Sequence, residues 1–223
     1  MRIAISSTTG IDRAGIIDRF IKEWPLYTKN EAWKSIIRNS KSEDALELNK
    51  KILTGMRDET RKYGKDDNVI FNRCTFDMMG YILWGHTESP ELYTEEYVEE
   101  CKDIFRESTK FIDIIYYIPL SRVSNNLDQT KKVKRIDDCL KFIERQYMTE
   151  KVSSFFIHDD RPALIELVGD IESQIGLMKL YLNDSGGIDE KDTDILPPEV
   201  MELLGKPEDI DVNQQINDLL KTK

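Results

Sequence analysis

The fold class this sequence predicts is a three-layer α/β sandwich, a mostly parallel sheet with helices on both faces. Short β-prone runs alternate along the chain with longer segments of helical periodicity. Those runs are apolar throughout rather than alternating, the pattern of a strand covered on both sides. The 223 residues suit one such domain, or one domain with a tail.

"RIAIS" (2–6) reads as the first strand and "DRAGIIDRFIKEW" as the helix after it, ended by Pro25. A long helix is expected through "EDALELNKKILTGMRDETRKYG", where Ala45, Leu48, Ile52 and Met56 recur at spacings of three and four. "NVIFN" (68–72) is a buried-type strand, followed by a helix from Phe76 to about Trp84. "TEEYVEECKDIFRESTKF" is amphipathic, with Tyr97, Cys101, Ile104 and Phe105 on one side. "IDIIYYIPL" carries the strongest strand (112–118), stopping at Pro119, and a polar, basic loop leads into the helix "VKRIDDCLKFIERQYM". "ALIELVG" holds the last strand (163–168), succeeded by the helix "IESQIGLMKLYLN". From "SGGIDEKDTDILPP" onward the chain is acidic and rich in Gly and Pro, with short helices near 198–204 and 212–220. The division expected is a domain over 1–185 and an acidic tail over 186–223 that packs back or binds a partner.

A net charge of −10 argues against sequence-independent nucleic-acid binding over the whole surface, although "KKVKR" (131–135) forms a local basic patch. No apolar run approaches the ~20 residues of a membrane span. "MRIAIS" has no long apolar region with a cleavage site, so no secretory signal is expected and the cytosol is the expected compartment. Cys74, Cys101 and Cys139 are odd in number, widely spaced and without a CxxC, and His86 and His158 lie far apart. Neither a disulfide framework nor a metal site is expected.

Ligands on parallel sheets sit at the carboxyl ends of the strands, which places residues 6–12, 72–77 and the loop after Pro119 around one cleft. The opening strand–loop–helix, "FNRCTFDMMGYILW", the basic loop and "PALIELVGDIESQIGLMKLYLN" together resemble the P-loop nucleoside and nucleotide kinases, in particular the kinase-like ATPases of bacteriophage genomes. The resemblance covers roughly 1–185. It implies a P-loop kinase-like sandwich, a lid-like loop at about 119–135, the cytoplasm of a host cell if the source is a phage, and ATP with Mg²⁺ as cofactors if the protein is active. It also implies a nucleotide-binding loop formed by Ser7, Thr8, Thr9, Gly10, Ile11, Asp12, Arg13 and Ala14.

A working P-loop reads G-x-x-x-x-G-K-S/T: glycines let backbone N–H groups close around phosphates, the Lys reaches the β/γ-phosphates and the hydroxyl holds Mg²⁺. Ser7, Asp12, Arg13 and Ala14 stand at those positions, so each signature residue differs. Taking Gly10 and Gly15 as the two glycines instead puts Ile16 and Ile17 where Lys and Ser/Thr belong, which is worse. The second family segment reads acidic–Arg–Ser, then Asp and an aromatic. Here it is Asn72–Arg73–Cys74, with Asp77 and Tyr81 in place. An amide at 72 neither accepts a proton at neutral pH nor neutralises Mg²⁺, and phosphoryl transfer rests on positioning and charge neutralisation. A single electrostatic donor is worth about 2.7–4 kcal/mol in other enzymes.

The preferred functional reading is therefore a degenerate kinase-like protein that has lost phosphoryl transfer and binds a nucleotide or a protein partner. One alternative is an active nucleoside, nucleotide or modified-base DNA kinase in which Arg13 replaces the Lys, Asp12 or Asp77 holds Mg²⁺, and Arg13, Arg73 and Asp77 carry catalysis. The other is a scaffold or assembly protein using the acidic tail. Arg73 and Asp77 read either as ligand-binding or as a pair on one helical turn. Arg13 is expected as an exposed charge. Arg122, Lys131, Lys132, Lys134 and Arg135 match the family's arginine-bearing lid, but a solvated helix start is the expectation. "HDDRP" (158–162) is expected as a turn, Cys74 as a small buried residue, and Trp24, Trp33, Trp84 and "IIYYI" as core.

Overall fold

The opening apolar run becomes β1 (Arg2–Ser7), and all six of its residues are buried. It pairs in parallel with β3 (Val69–Asn72) on one side and β4 (Ile114–Ile118) on the other. β2 (Thr28–Asn30) and β5 (Ala163–Glu166) complete a five-stranded sheet in the order β2-β3-β1-β4-β5, parallel throughout. The computed structural model describes residues 1–120, 130–153, 162–184 and 186–187. They fall in one compact unit, Met1–Gly187, while the second unit, Ile188–Lys223, lies outside them. Arg122, His158, Asp159, Asp160 and the two tail helices also lie outside the described residues.

Strand side chains alternate between two cores, as a period of two requires. Ile3, Ile5, Ile70, Ile114, Tyr116 and Ile118 pack with α1 (Arg13–Glu23) and α7 (Ile171–Met178). Ala4, Val69, Phe71, Ile115, Tyr117 and Leu164 pack with α3 (Ala45–Thr60), α4 (Thr75–Glu88), α5 (Glu95–Thr109) and α6 (Lys131–Ser153). α1 thus leaves β1 toward one face and α4 leaves the neighbouring β3 toward the other. Adjacent strands whose chains depart to opposite faces leave a crevice at their carboxyl ends, and that crevice is the candidate site.

Two elements depart from the sequence-based expectation. β2 is a three-residue strand, Thr-Lys-Asn, with no apolar residue to mark it. α2 (Trp33–Asn39) buries no residue fully and has no side-chain cap. Helix ends shift as well: α3 stops at Thr60 rather than Gly64, α4 runs to Glu88, and α6 begins at Lys131. The last helix stops at Met178, short of Asn183. The chain beyond it folds onto α1's end, where Trp24 Nε1 donates to Asn183 O at 2.9 Å and Tyr27 Oη to Gly186 O at 2.5 Å. Gly186 has φ 78, and a Cβ there would meet the Tyr27 ring at 2.6 Å. Among the described residues no helix is long and apolar enough to cross a membrane.

Candidate functional site

β1 delivers Ser6 and Ser7 to the crevice, both buried, and the chain turns at Gly10 (φ 98) before α1 starts. Asp12 is the N-cap of α1: its Oδ1 accepts from Gly15 N at 3.0 Å. That amide belongs to the helix N-terminus, where a phosphate would be received. A Cβ at residue 15 would lie 2.5 Å from Asp12 Oδ2, so glycine there keeps the carboxylate close to the helix end.

Arg13 is not the exposed charge expected from sequence. It is 7% exposed and turned into the loop. Its Nη1 donates to Ser7 O (2.8 Å), Ser7 Oγ (2.6 Å) and Thr8 O (3.2 Å), and its Nε to Asn72 Oδ1 (3.2 Å). The guanidinium therefore fills the interior of the loop and ties β1's end to β3's. Burial lowers its pKa, with nearby Asp77 opposing and Arg73 adding to the shift, but a guanidinium keeps its proton.

Asp77 in the first turn of α4 is 1% exposed. It accepts from Ser6 Oγ (2.6 Å) and Cys74 N (3.0 Å) on one oxygen and from Ser7 N (3.2 Å) on the other. Arg13 and Arg73 approach that second oxygen at 3.7 and 4.0 Å. The carboxylate thus already serves three protein donors and faces two guanidinium groups. Asp12, exposed, accepts from Gly15 on one oxygen, and the Ala14 side chain has no ligating atom. Cys74, 1% exposed, is the small buried residue expected, and burial pushes its thiol up to about 12, with Asp77 adding to the rise.

Arg73 and Asp77 are not two positions on one helical turn, because α4 begins only at Thr75. Arg73 has φ 85, a left-handed backbone that costs a non-glycine residue about 1–2 kcal/mol. Its guanidinium lies 4.8 Å over the Trp33 ring, and its Nε has no hydrogen-bond partner.

Two site residues were missed in the sequence, both on the segment whose elements it hides. Glu31 follows β2 directly; its Oε1 accepts from Asn72 Nδ2 at 3.2 Å, and Lys34 Nζ pairs with it at 2.7 Å. The Lys34 hydrogen bond lowers its pKa, burial opposes and the Asn72 contact assists. Trp33, expected as core, is only partly buried and forms the wall beneath Arg73. No local pattern marked either residue, because β2 is three polar residues and α2 buries no residue fully.

The described residues of the basic cluster contact the far end of α4 or face solvent. Lys132 lies 4.3 Å over the Trp84 ring and Arg135 pairs with Glu88, both contacts at the C-terminal end of α4. Asp77 sits in that helix's first turn, seven to eleven residues away, or roughly 10–16 Å along the axis. Lys131 and Lys134 are exposed on the same first turns of α6, the solvated helix start expected. With Leu83, Cys139 and Phe142, Arg135 and Trp84 line a separate groove of about 730 Å³.

No family model and no curated protein matches the sequence. Among solved structures, deoxyadenosine kinase from M. mycoides with bound dATP is similar at TM-score 0.51 and 15% identity, covering 81% of this chain and 98% of that one. A further structure of that kinase, with products dCMP and a flexible dCDP bound, aligns at TM-score 0.49 and 13% identity, covering 81% and 97%. The chain has the P-loop deoxynucleoside kinase fold, a three-layer α/β sandwich around a five-stranded parallel sheet.

Proposed function

We propose that this chain is a nucleoside-kinase-like binding protein that does not transfer phosphate. What carries the reading is Arg13: its guanidinium occupies the loop interior, bonded to Ser7, Thr8 and Asn72. Asp12 supports it by holding the helix-terminal amide an incoming phosphate would need. The protein thus supplies both an anion and a cation to its own loop. The resemblance to deoxyadenosine kinase in fold supports a cleft that receives a nucleoside-type ligand. The narrower likeness to bacteriophage kinases, and a cytoplasmic setting, rest on the sequence resemblance alone.

The test is calorimetry with ATP and Mg²⁺, together with a γ-phosphoryl transfer assay on deoxynucleosides. The expected result is neither binding heat nor transfer. A triple variant, Asp12→Gly, Arg13→Lys and Ala14→Thr, is expected to gain ATP binding. Transfer by the native protein that Arg13→Ala abolishes would overturn the reading.

One observation favours a second reading, that of an active kinase. Glu31 is a carboxylate on the crevice edge beside Asn72, placed to accept a proton from an acceptor hydroxyl. Transfer lost on Glu31→Gln, with the fold intact, would establish that reading.

A further inference from the structure

α4 and α6 pack on each other, closely enough that a Cβ at Gly80 would lie 2.6 Å from Leu140 Cδ2. Beyond Gly80, alongside Leu83 to Glu88, the two helices leave between them the groove of about 730 Å³. Leu83 and Trp84 form one wall, and Phe142, 52% exposed, forms the other. On α6 the lining positions Arg135, Asp138, Cys139 and Phe142 fall at i, i+3, i+4 and i+7. That is one helix face two turns long, or roughly 10 Å.

At one end of this groove the first turns of α6 carry Lys131, Lys132, Lys134 and Arg135, all exposed. Lys131 and Lys134 make no ion pair among the described residues. Lys132 rests over the Trp84 ring, and Arg135 alone of the four has a carboxylate partner there, Glu88. No acidic residue occupies that first turn, although the positive end of the helix dipole favours one. Four cations against the groove's two carboxylates, Glu88 and Asp138, leave a local positive excess on a chain whose net charge is −10. Cations gathered where neither their helix nor their neighbours neutralise them complement an anionic surface brought from outside.

A two-turn apolar groove between two helices is the shape a third helix fills, with anchors at i, i+3 or i+4 and i+7. Glu88 and Asp138 line the same groove and would repel the phosphates of a nucleic-acid strand laid along it. A helix presents apolar side chains there instead. We propose that the α4–α6 groove docks an amphipathic helix of a partner protein. That helix is apolar on the face it sets between Leu83 and Phe142, and acidic at the end it turns to Lys131, Lys132 and Lys134. The exposed ring of Phe142 is the anchor, and the lysines fix which way round the helix lies. The groove is separate from the crevice, so the reading above neither supports this one nor falls with it.

Fluorescence anisotropy on the full chain would use a designed helical peptide with leucines at i, i+3, i+4 and i+7 and glutamates at one end. Its control is the same peptide with lysines at that end. The glutamate peptide is expected to bind at least about tenfold more tightly than the lysine peptide, and to weaken several-fold as salt rises to physiological strength. Phe142→Ala, at an exposed position, should weaken it about tenfold. Lys131→Glu combined with Lys134→Glu suits the helix dipole, so the protein should stay folded while the preference reverses to the lysine peptide. Equal binding of the two peptides, binding of neither, or binding indifferent to both variants would overturn the proposal. Self-association in light scattering that Phe142→Ala abolishes would overturn it by giving the groove to a second copy of this chain. A single-stranded oligonucleotide that binds more tightly than the glutamate peptide, with the same dependence on Lys131 and Lys134, would overturn it in favour of nucleic acid.

Discussion

Two arginines stand on opposite flanks of one crevice, with side chains almost equally hidden, Arg13 at 8% and Arg73 at 10% exposure. Arg13 donates to four protein acceptors; Arg73 donates to none among the described residues and rests on an aromatic ring. Asp77 lies between them, within 4.0 Å of both. The contrast teaches that burial alone does not tell whether the protein satisfies a cation's donors. What separates them is whether the protein itself satisfies the donors, since unsatisfied donors carry a desolvation cost that a ligand can remove.

Substitutions can break this contrast or sharpen it. The largest effect is expected from Asp77→Ala, which leaves two buried guanidinium groups without their shared carboxylate. A loss of about 3–5 kcal/mol in denaturant-derived stability is expected, and a loss below about 1 kcal/mol would show that the flanks are not electrostatically joined. Arg13→Ala strips Ser7 O, Thr8 O and Asn72 Oδ1 of a charged donor and should cost roughly 2–3 kcal/mol. Gly15→Ala pushes the Asp12 carboxylate off its amide and should cost about 1 kcal/mol, the usual worth of an N-cap.

Arg73→Gly should move stability by less than about 1 kcal/mol, because relief of the positive φ offsets the lost contact with Trp33. Near-neutral stability at Arg73 beside a costly Arg13→Ala is the outcome that defines the contrast. The smallest effect belongs to Glu31. Its folded pKa is lowered, chiefly by Lys34, so its contribution is present above the unfolded value near 4.5 and fades as pH falls through the folded value. Glu31→Gln should flatten the acid limb of the stability profile by a few tenths of a kcal/mol.

The β1 flank was far more legible in the sequence than the β3 flank. A six-residue run with every position buried announces itself by composition, and the loop's departures from the phosphate-binding pattern could be read position by position. Arg13's inward turn could not, because its acceptors are carbonyls and an amide contributed by Ser7, Thr8 and Asn72, the last 59 positions away. β2 and α2 left no signal: three polar residues carry no period, and a helix with no fully buried residue has no stripe. Glu31 and Trp33, the residues that give the second flank its chemistry, sit in that stretch. The basic residues at the start of α6 were placed by analogy with a lid, whereas contacts with Trp84 and Glu88 hold two of them at the other end of α4.

Asp12's hold on Gly15 N also fixes how any outside anion must compete. A carboxylate attached to the chain a few atoms from its amide acts at an effective concentration in the millimolar range or above. A dissolved phosphate present at micromolar levels meets a rival that never diffuses away. Raising the concentration of such a rival's competitor is a slow route to entry; shortening the tether to nothing, by removing the carboxylate, is a direct one.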